Sequence, residues 1–253
     1  MAGILVVTGG SRGIGAATVR LAAQAGWDVC VNYLRDQAKA EAAAAGARDH
    51  GVRAIAVQGD MAREQDVMRL FAAVDDQLGP VTGLVNNAGT TGPAGKLLDL
   101  TAETVESVMA INVVGPFLCS REAARRMARS RGGQGGVIVN VSSRAAALGS
   151  PNEFVHYAAS KGAVDSLTIG LSKELAPEGI RVNAVAPTYI ETSLTKFGME
   201  DERMYPVWLE NTPMRRVGQP DDIARAVVFL TADEAGYITG INLPVNGGLL
   251  MGF

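Results

Sequence analysis

The sequence predicts an α/β fold, a doubly wound parallel sheet of about seven strands with helices on both faces. Three observations lead to this prediction. Short β-rich runs alternate with longer helical stretches along the chain, as in repeated βαβ units. Six of the short runs are continuously apolar, which is typical of strands covered on both faces. The 253 residues contain no internal repeat, low-complexity region or linker, so we expect one domain over residues 1–253.

The strands are expected where runs such as "ILVVT", "DVCVNY" and "GVIVNV" combine apolar character with β-branched residues. The alanine tract "AEAAAAGA" lies between two of these runs and is a strong helix former. The expected strands span 4–8, 28–33, 53–58, 83–87, 136–141, 181–186 and 241–245. The expected helices span 13–26, 36–50, 64–78, 101–130, 156–177 and 220–232.

The composition excludes several classes of protein. The net charge of −3 leaves no basic surface for nucleic acid or an anionic membrane. Two cysteines, Cys30 and Cys119, and two histidines, His50 and His156, make a disulfide framework and a Cys/His metal site improbable, so no metal is expected. There is no run of eighteen apolar residues and no signal-peptide pattern at the N-terminus. We therefore expect a cytoplasmic protein that does not bind a membrane.

A glycine-rich turn follows the first strand in "ILVVTGGSRGIGAATVRLAAQAG". Gly9, Gly13 and Gly15 allow a tight turn and a close approach of the backbone to a pyrophosphate. The helix that follows offers free N–H groups and the positive end of its dipole to the same phosphates. A turn of this kind between a buried strand and a helix predicts a dinucleotide site.

The end of the second strand, "VCVNYLRDQ", indicates which dinucleotide binds. An acid at this point would hold the ribose hydroxyls of NAD, but the strand ends in Asn32 and Tyr33, with Arg35 close behind. An amide, a phenol and a guanidinium can bind a 2′-phosphate, and Arg12 adds a second cation from the glycine turn. The pattern favours NADP(H) over NAD(H); the alternative is that both arginines are ordinary surface charges.

The chain also resembles the short-chain dehydrogenase/reductase family over essentially its whole length. The matching segments occur in the family order: "TGGSRGIG" (8–15), "GDM" (59–61), "NNAG" (86–89), Asn112 in "INVVG", "VSS" (141–143), "YAASK" (157–161), "RVNAVAPTYIETS" (181–193) and "VNGG" (245–248). The resemblance implies a Rossmann-type fold and hydride transfer between a nicotinamide and a carbonyl or secondary alcohol.

The resemblance implies that Asp60 pairs with the adenine amino group and that Ile190 and Thr192 meet the nicotinamide carboxamide. The family usually has glycine at the position of Thr188, which puts the local backbone path in question. The full expected cofactor set is Gly9, Ser11, Arg12, Gly13, Ile14, Gly15, Asn32, Tyr33, Arg35, Asp60, Met61, Asn87, Ala88, Gly89, Tyr157, Lys161, Pro187, Ile190 and Thr192.

The catalytic residues that the resemblance implies are Asn112, Ser143, Tyr157 and Lys161. Tyr157 would exchange a proton with the substrate oxygen, and Lys161, four residues later on the same helical face, would lower the pKa of the phenol and bind the nicotinamide ribose. Ser143 would donate a hydrogen bond to the substrate oxygen, and Asn112 would hold a water next to Lys161. Ser142 is the alternative serine, because Ser143 and Tyr157 are fourteen residues apart and thirteen is commoner in the family.

The substrate is less clear from the sequence. The segment 188–216 is a mobile lid in the family, and here it contains the apolar side chains Leu194, Phe197, Met204, Tyr205 and Trp208. These could close an apolar pocket, or be ordinary lid packing or a subunit contact. A second group near the catalytic serine and tyrosine, Arg144, Glu153, Phe154 and His156, could bind a polar substrate or form a subunit contact.

Three alternatives remain open for the activity. Reductases of 3-oxoacyl groups on acyl carrier protein present basic residues near the ends of the two long helices, but here Gln134 and Glu178 occupy those positions, with Arg129 and Arg131 nearby. A sugar dehydrogenase acting at the anomeric carbon fits a polar mouth. A regulator that binds NADPH without chemistry is disfavoured by the four intact catalytic positions.

The long helices 101–130 and 156–177 usually pair across subunits in the family, so we expect a homotetramer, with a dimer as the alternative.

Overall fold

The computed structural model describes residues 3–249, so the expected domain over 1–253 extends past the described part at both ends. Seven strands form one sheet in the order β3-β2-β1-β4-β5-β6-β7, and every neighbouring pair is parallel. The strands are β1 (Ile4–Val7), β2 (Asp28–Tyr33), β3 (Ala54–Gln58), β4 (Gly83–Asn86), β5 (Gly136–Val141), β6 (Ile180–Pro187) and β7 (Asn242–Val245). The predicted doubly wound sheet is confirmed.

Helices connect the strands and lie on both faces of the sheet. They are α1 (Gly13–Gln24), α2 (Gln37–Arg48), α3 (Glu64–Gln77), α4 (Ala102–Met109), α5 (Gly115–Met127), α6 (Ala145–Leu148), α7 (Val155–Leu175), α8 (Lys196–Met199), α9 (Met204–Asn211) and α10 (Pro220–Thr231). A π-helical turn, Ala110–Val114, joins α4 to α5, so the predicted helix 101–130 changes its winding part-way. The short helices α6, α8 and α9 were not predicted.

The two faces of the sheet explain why the strands are continuously apolar. Side chains alternate along a strand, so Leu5 and Val7 point to one face and Ile4 and Val6 to the other. On the first face they join a core that contains residues of α1, α2 and α10. On the second face they join a core that contains residues of α3 and α5. Each fully buried valine or leucine contributes about 1.5–3 kcal/mol, so both helical layers are held firmly against the strands.

The continuous helix Ala102–Met127 is apolar for its length. Its most apolar window has a mean hydropathy of 1.2, enough to span a membrane by length and composition alone. By that measure it is an exception to the expectation that no segment is suited to a bilayer. A core helix of a soluble protein passes the same test, and Cys119, Ala123 and Met127 of this helix are buried in the second core.

The strand order places the ligand crevice. The chain winds outward in opposite directions from β1 and β4, which are neighbours in the sheet. In open α/β sheets the crevice at such a reversal, beyond the carboxyl ends of the strands, is where ligands bind. The glycine turn after β1 and the "NNAG" segment at the end of β4 meet at this point.

Candidate active site

A large cavity of about 1360 Å³ opens at this crevice. It is larger than the roughly 300–1,000 Å³ of ordinary small-molecule pockets, as a site for both a dinucleotide and a substrate requires. Most of the expected site residues lie on its wall: Gly9, Ser11, Arg12, Gly13, Ile14, Asn32, Tyr33, Arg35, Asp60, Met61, Asn87, Ala88, Gly89, Ser143, Tyr157, Lys161, Pro187, Ile190 and Thr192. Two expected residues, Gly15 and Asn112, do not line it.

The glycine turn has the geometry that a dinucleotide phosphate needs. Gly9 and Gly13 adopt φ angles of 62° and 52°, a left-handed region that favours glycine. Helix α1 begins at Gly13, and the preceding Arg12 makes no side-chain cap to its first N–H groups. Uncapped N–H groups at a helix N-terminus bind anions, so the residues present fit the pyrophosphate of a nicotinamide dinucleotide.

Gly15 lies behind the turn and not at the cavity. A Cβ atom at Gly15 would be 2.3 Å from the Gly9 carbonyl oxygen and 2.6 Å from Asn87 Nδ2. Gly15 therefore serves packing and does not make the expected contact with the cofactor. Because glycine has no side chain, α1 can lie close to the glycine turn.

Thr8 is a functional residue that the sequence reasoning missed. Its buried hydroxyl accepts hydrogen bonds from the backbone N–H groups of Asn87 and Ala88, each at 3.0 Å. The side-chain amide of Asn87 in turn donates to the carbonyl oxygens of Thr8, at 2.8 Å, and Gly9, at 3.1 Å. These bonds join the two segments that form the floor of the crevice. A polar residue ending an otherwise apolar strand was the signal available in the sequence.

Asn32 has a different role from the expected one. Its side chain is buried, and its amide nitrogen donates to the carbonyl oxygens of Val57, at 3.3 Å, and Gly59, at 3.0 Å. Its Oδ1 atom accepts from the Gly9 N–H at 3.2 Å. The Asn32 amide thus positions the glycine turn. The side chain of Asn32 points inward because it bonds the Gly9 N–H of that turn.

The two arginines beside this strand are free to meet an anion. Arg12 and Arg35 line the cavity, and within residues 3–249 neither side chain forms a hydrogen bond or salt bridge. The neighbouring Asp36 caps α2 and pairs with Lys39 at 2.9 Å. The hydrogen bond from the Lys39 backbone N–H is the main reason that the pKa of Asp36 is lowered. The one acid at this point is therefore already paired with a lysine.

The expected adenine site is built by the turn after β3. Asp60 Oδ1 accepts from the Ala62 N–H at 3.0 Å, and its other oxygen is 3.7 Å from Arg63. The Met61 side chain is buried against Cys119, with the two sulfur atoms 3.6 Å apart. Met61 therefore reaches the cavity chiefly through its backbone.

Ser142 and Ser143 follow β5 and both border the cavity, but their hydroxyls have different surroundings. Ser143 lies close enough to Tyr157 to oppose, in part, the rise that burial causes in the pKa of the phenol. The Ser142 hydroxyl is buried, where it is hydrogen-bonded to the carboxylate of Asp165 and lies 3.4 Å from the Lys161 carbonyl oxygen. Because Asp165 occupies the Ser142 hydroxyl, the geometry favours Ser143 as the serine that faces a substrate.

Burial dominates the acid–base properties of Tyr157 and Lys161. It raises the pKa of Tyr157, against a smaller lowering by the Ser143 hydrogen bond. The expected lowering depends on Lys161 together with the positive nicotinamide of NADP⁺; the Lys161 ammonium itself lies 5.7 Å from the centre of the phenol ring and donates to the Val141 carbonyl oxygen at 2.7 Å. Burial also lowers the pKa of Lys161 to about 8, although Asp165 opposes that shift. Near neutral pH the phenol keeps its proton.

Asn112 supports the site from behind its wall. Its amide donates to the Thr90 carbonyl oxygen at 2.8 Å and to the Ser160 hydroxyl at 3.0 Å, and its Oδ1 accepts from the Thr90 N–H at 2.9 Å. These protein partners fix the orientation of the side chain. It lies in the π-helical turn, and Pro116 explains that turn, because proline cannot donate to the carbonyl four residues earlier in an α-helix.

The segment between β6 and α10 covers the cavity. Of the expected apolar lid residues, Leu194, Phe197, Met204 and Trp208 line the cavity, whereas Tyr205 does not. Thr188, at the position where the family usually has glycine, is not among the described residues with a positive φ, so a side chain is accommodated there without strain. Within residues 3–249, no group of three His, Cys, Asp or Glu side chains could hold a metal ion.

The comparison with known proteins agrees with this geometry. A family model described as enoyl-(acyl carrier protein) reductase matches residues 9–250. A short-chain dehydrogenase of Burkholderia cenocepacia J2315, solved in complex with NADP, superposes with a TM-score of 0.89 at 34% identity, over 97% of this chain and 96% of that one. The chain belongs to the short-chain dehydrogenase/reductase family.

Two other members of the short-chain dehydrogenase/reductase family are similar over nearly their full lengths. The uncharacterised oxidoreductase YgfF of Escherichia coli K12 is 47% identical over 97% of this chain and 99% of its own. The 3-oxoacyl-[acyl-carrier-protein] reductase FabG of Staphylococcus epidermidis RP62A is 38% identical over 97% of this chain and 98% of its own. The chain is accordingly an oxidoreductase of this family.

Proposed function

We propose that the protein is an NADP(H)-dependent oxidoreductase that transfers a hydride between the nicotinamide and a carbonyl or secondary alcohol. The observation that supports this most directly is that Ser143, Tyr157 and Lys161 line one cavity together with the uncapped N-terminus of α1. Proton donor, hydrogen-bond donor and dinucleotide phosphate site then share one enclosure, as carbonyl reduction requires.

The bound nicotinamide would supply the hydride. In the reductive direction Tyr157 gives its proton to the carbonyl oxygen, which becomes negative as hydride reaches the carbon, and Ser143 donates a hydrogen bond to the same oxygen. The products are the alcohol and the oxidised dinucleotide, and the phenolate regains its proton from solvent. The raised pKa of Tyr157 keeps the acid form populated for this direction. Lys161, together with the positive charge that the oxidised nicotinamide would carry, would favour the phenolate that forms.

The preference for NADP(H) over NAD(H) is part of the proposal. Arg12 and Arg35 line the cavity, and in the described part of the chain neither forms a side-chain hydrogen bond or salt bridge, while Asp36 lies close to both Lys39 and Arg12. The NADP complex of the Burkholderia relative points the same way.

The test of this preference is a titration of NADPH and NADH into wild type and Arg35→Ala. A charge-assisted bond to an exposed phosphate is worth about 1.5 kcal/mol, so NADPH binding should weaken about tenfold while NADH binding stays the same. Arg69→Ala, which removes an exposed arginine paired with Asp66 away from the cavity, is the matched control. Equal weakening for both dinucleotides would count against the phosphate contact.

A 3-oxoacyl thioester is the second candidate substrate, favoured by 38% identity to the Staphylococcus epidermidis FabG. Against it, Glu178 places an acid where basic residues would meet an acidic carrier, and its carboxylate accepts from the Ser130 N–H at 2.8 Å. Comparing turnover of free ketones with 3-oxoacyl thioesters separates the two substrate classes.

Assembly as a homotetramer also belongs to the proposal. Val114, Phe117 and Ile169 are large apolar side chains that remain about half exposed on the long helices of the described structure. Apolar exposure on packed helices supports a contact between subunits. Sedimentation equilibrium should give the mass of four 26.4 kDa chains, and Phe117→Asp should lower it. A wild-type mass of one chain would contradict the proposal.

We also assign the protein to the cytoplasm, because both cysteines are free and buried. Fractionation of the cells should recover it with the soluble cytoplasmic enzymes, and recovery with the membranes would contradict this assignment.

A further inference from the structure

Four aromatic rings form a continuous row on the substrate side of the cavity. Tyr189 stacks on Trp208 with ring centres 4.3 Å apart and planes 7° from parallel. The edge of Phe197 meets Trp208 at 6.3 Å and 90°, and Phe154 lies 5.9 Å from Phe197 at 56°. All four line the cavity. We call Phe154, Tyr189, Phe197 and Trp208 the aromatic row.

The aromatic row borders the reacting groups at both ends. Phe154 immediately precedes α7 and is three residues before Tyr157, while Tyr189 follows β6 beside Ile190. Phe197 and Trp208 belong to α8 and α9 of the lid. A substrate whose carbonyl reaches Tyr157 must therefore place its substituent next to these rings.

The row is anchored but still offers apolar surface. Trp208 is buried and packs so closely on Gly198 that a Cβ atom there would be 2.2 Å from the indole. Phe197 remains 47% exposed and Val207 is also half exposed, although both line the cavity. Exposed apolar surface inside a binding cleft marks a ligand contact, and fixed aromatic rings bind flat groups at low entropic cost.

Polar side chains share this part of the lining with the row. The charged ones in the described part of the chain are Glu153 and Arg203, one of each sign, and Ser150, Thr188 and Ser193 add hydroxyl groups. The aromatic rings supply the apolar contact area between these polar groups.

On the basis of the proposed carbonyl chemistry, we propose that the substrate has an aromatic or comparably flat apolar group attached to its carbonyl carbon, and that Phe197 and Phe154 select for it. The reaction is ketone plus NADPH plus a proton to secondary alcohol plus NADP⁺, with hydride going to the carbonyl carbon and the Tyr157 proton to the oxygen. The flat substituent stacks against the aromatic row while the carbonyl faces Ser143.

The test compares acetophenone with cyclohexyl methyl ketone, which has the same carbon skeleton but a puckered ring. The ratio of their kcat/KM values is measured in wild type, Phe197→Leu and Phe154→Leu. Comparing ratios between variants cancels the different intrinsic reactivity of the two ketones. Each aromatic contact is worth about twofold to tenfold, so the ratio should fall by that factor in each variant. Phe229→Leu changes a half-exposed phenylalanine outside the cavity and should leave the ratio unchanged.

The outcomes separate this inference from the proposed function. Equal losses for both ketones in Phe197→Leu and Phe154→Leu would mean that the rings only pack the lid, and would overturn the inference. The wild-type protein could also reduce aliphatic ketones or thioesters and show no preference for acetophenone that the two variants reduce. That result would overturn the aromatic inference and leave the proposed reductase function standing. No turnover of any carbonyl by protein that binds NADPH would overturn the proposed function as well.

A separate observation concerns Asp165, one turn after Lys161 on α7. Its half-buried carboxylate is hydrogen-bonded to the hydroxyl of Ser142, and Asn242 on β7 and Arg144 lie close enough to oppose the rise that burial causes in its pKa. The Ser142 backbone N–H also donates to the Val185 carbonyl oxygen at 2.9 Å. Three elements around the catalytic residues, β5, α7 and β7, therefore meet at one carboxylate.

We infer that Asp165 is a positioning residue: by holding the Ser142 hydroxyl inward, it turns Ser143 toward the cavity and Tyr157. Ser142 lies beyond the end of β5, where one backbone bond, from its N–H to the Val185 carbonyl oxygen, ties it to the sheet, and the hydroxyl bond to Asp165 adds a second anchor directly before Ser143. A small error in the position of Ser143 would reduce the rate strongly, because hydrogen bonds to the reacting oxygen depend on geometry.

The test is a double-mutant cycle on kcat with Ser142→Ala, Asp165→Ala and both together, plus Asp165→Asn. Each alanine variant should lower kcat about tenfold with little change in NADPH affinity, and the double variant should be no slower than the slower single variant. Asp165→Asn should keep most of the activity, because its amide oxygen can still accept from Ser142 and its amide nitrogen can donate to Asn242 Oδ1, which lacks a partner in the described structure. Additive losses, unchanged kcat, or an asparagine variant as slow as the alanine variant would overturn the inference.

Discussion

Replacing Thr8 by valine removes one hydroxyl from the floor of the crevice and leaves the shape of the side chain nearly unchanged. The backbone N–H groups of Asn87 and Ala88 then lose their acceptor. The Val85 carbonyl oxygen still accepts a hydrogen bond from the Thr8 backbone N–H at 3.0 Å, so no acceptor is left without a donor. Each buried donor without a partner costs about 1–3 kcal/mol, and both groups are partly buried, so Thr8→Val should lose about 2–3 kcal/mol. Urea unfolding followed by circular dichroism measures this loss.

Thr18→Val is the matched control, because Thr18 is also buried but its hydroxyl only donates, to the Ile14 carbonyl oxygen at 2.8 Å. That carbonyl belongs to α1, where it has a backbone donor, so the substitution strands no group and should cost less than about 1 kcal/mol. NADPH binding should weaken in Thr8→Val and stay unchanged in Thr18→Val. Equal losses of stability in the two variants would refute the assigned role of the Thr8 hydroxyl.

Three further predictions follow from the structure. Gly15→Ala should lower the free energy of unfolding by about 1–3 kcal/mol and weaken NADPH binding, because its Cβ atom would meet the Gly9 carbonyl oxygen. The control Gly46→Ala, in open space on α2, should leave stability unchanged or raise it. Thermal unfolding measures the stability of both variants, and titration measures their NADPH binding. Lys161 has a pKa of about 8 in the folded protein and 10.5 in the unfolded chain, so the unfolded state binds more protons between these values and stability rises with pH. Relative to Lys161→Met, the free energy of unfolding should therefore increase by about 3 kcal/mol from pH 8 to pH 10.5, and a flat difference would contradict the burial of the ammonium. Burial raises the pKa of both thiols, Cys30 and Cys119, so neither should react with iodoacetamide at about pH 8 until the protein unfolds, as mass spectrometry would record.

The sheet was predictable because its strands are buried on both faces. A run such as Ile4–Val7 is apolar at every position, and only a strand between two helical layers needs that pattern. The helix ends were also close, since Gly13 and Pro220 mark the starts of α1 and α10. The short lid helices α8 and α9 were missed, because four to eight residues show too little periodicity to identify a helix.

The site was less predictable than the fold, because function there depends on which way a side chain points. Nothing in the pair Ser142 and Ser143 says which one faces the cavity, since that depends on the register of β5 and on Asp165 of a distant helix. Asn32 was assigned to a phosphate because it ends a strand beside the glycine turn. Its side chain points inward because Oδ1 accepts a hydrogen bond from the Gly9 N–H, and that N–H takes up this position only once the turn has folded.

The π-helical turn at Asn112 had a signal in the sequence that went unused. Pro116 stands four residues after Asn112 and cannot donate to its carbonyl, so an uninterrupted α-helix over 101–130 was never possible there. The widened turn directs the Asn112 amide toward Thr90 and Ser160.

The most direct test of the central claim is the rate of NADPH oxidation by wild type and Tyr157→Phe in the presence of a reducible ketone, with NADPH affinity measured on both proteins. Phenylalanine keeps the ring but cannot deliver a proton. We expect a rate lower by about 10²–10⁴ in the variant, with NADPH affinity unchanged within about twofold. A variant that oxidises NADPH as fast as wild type would contradict the assignment of Tyr157 as the acid.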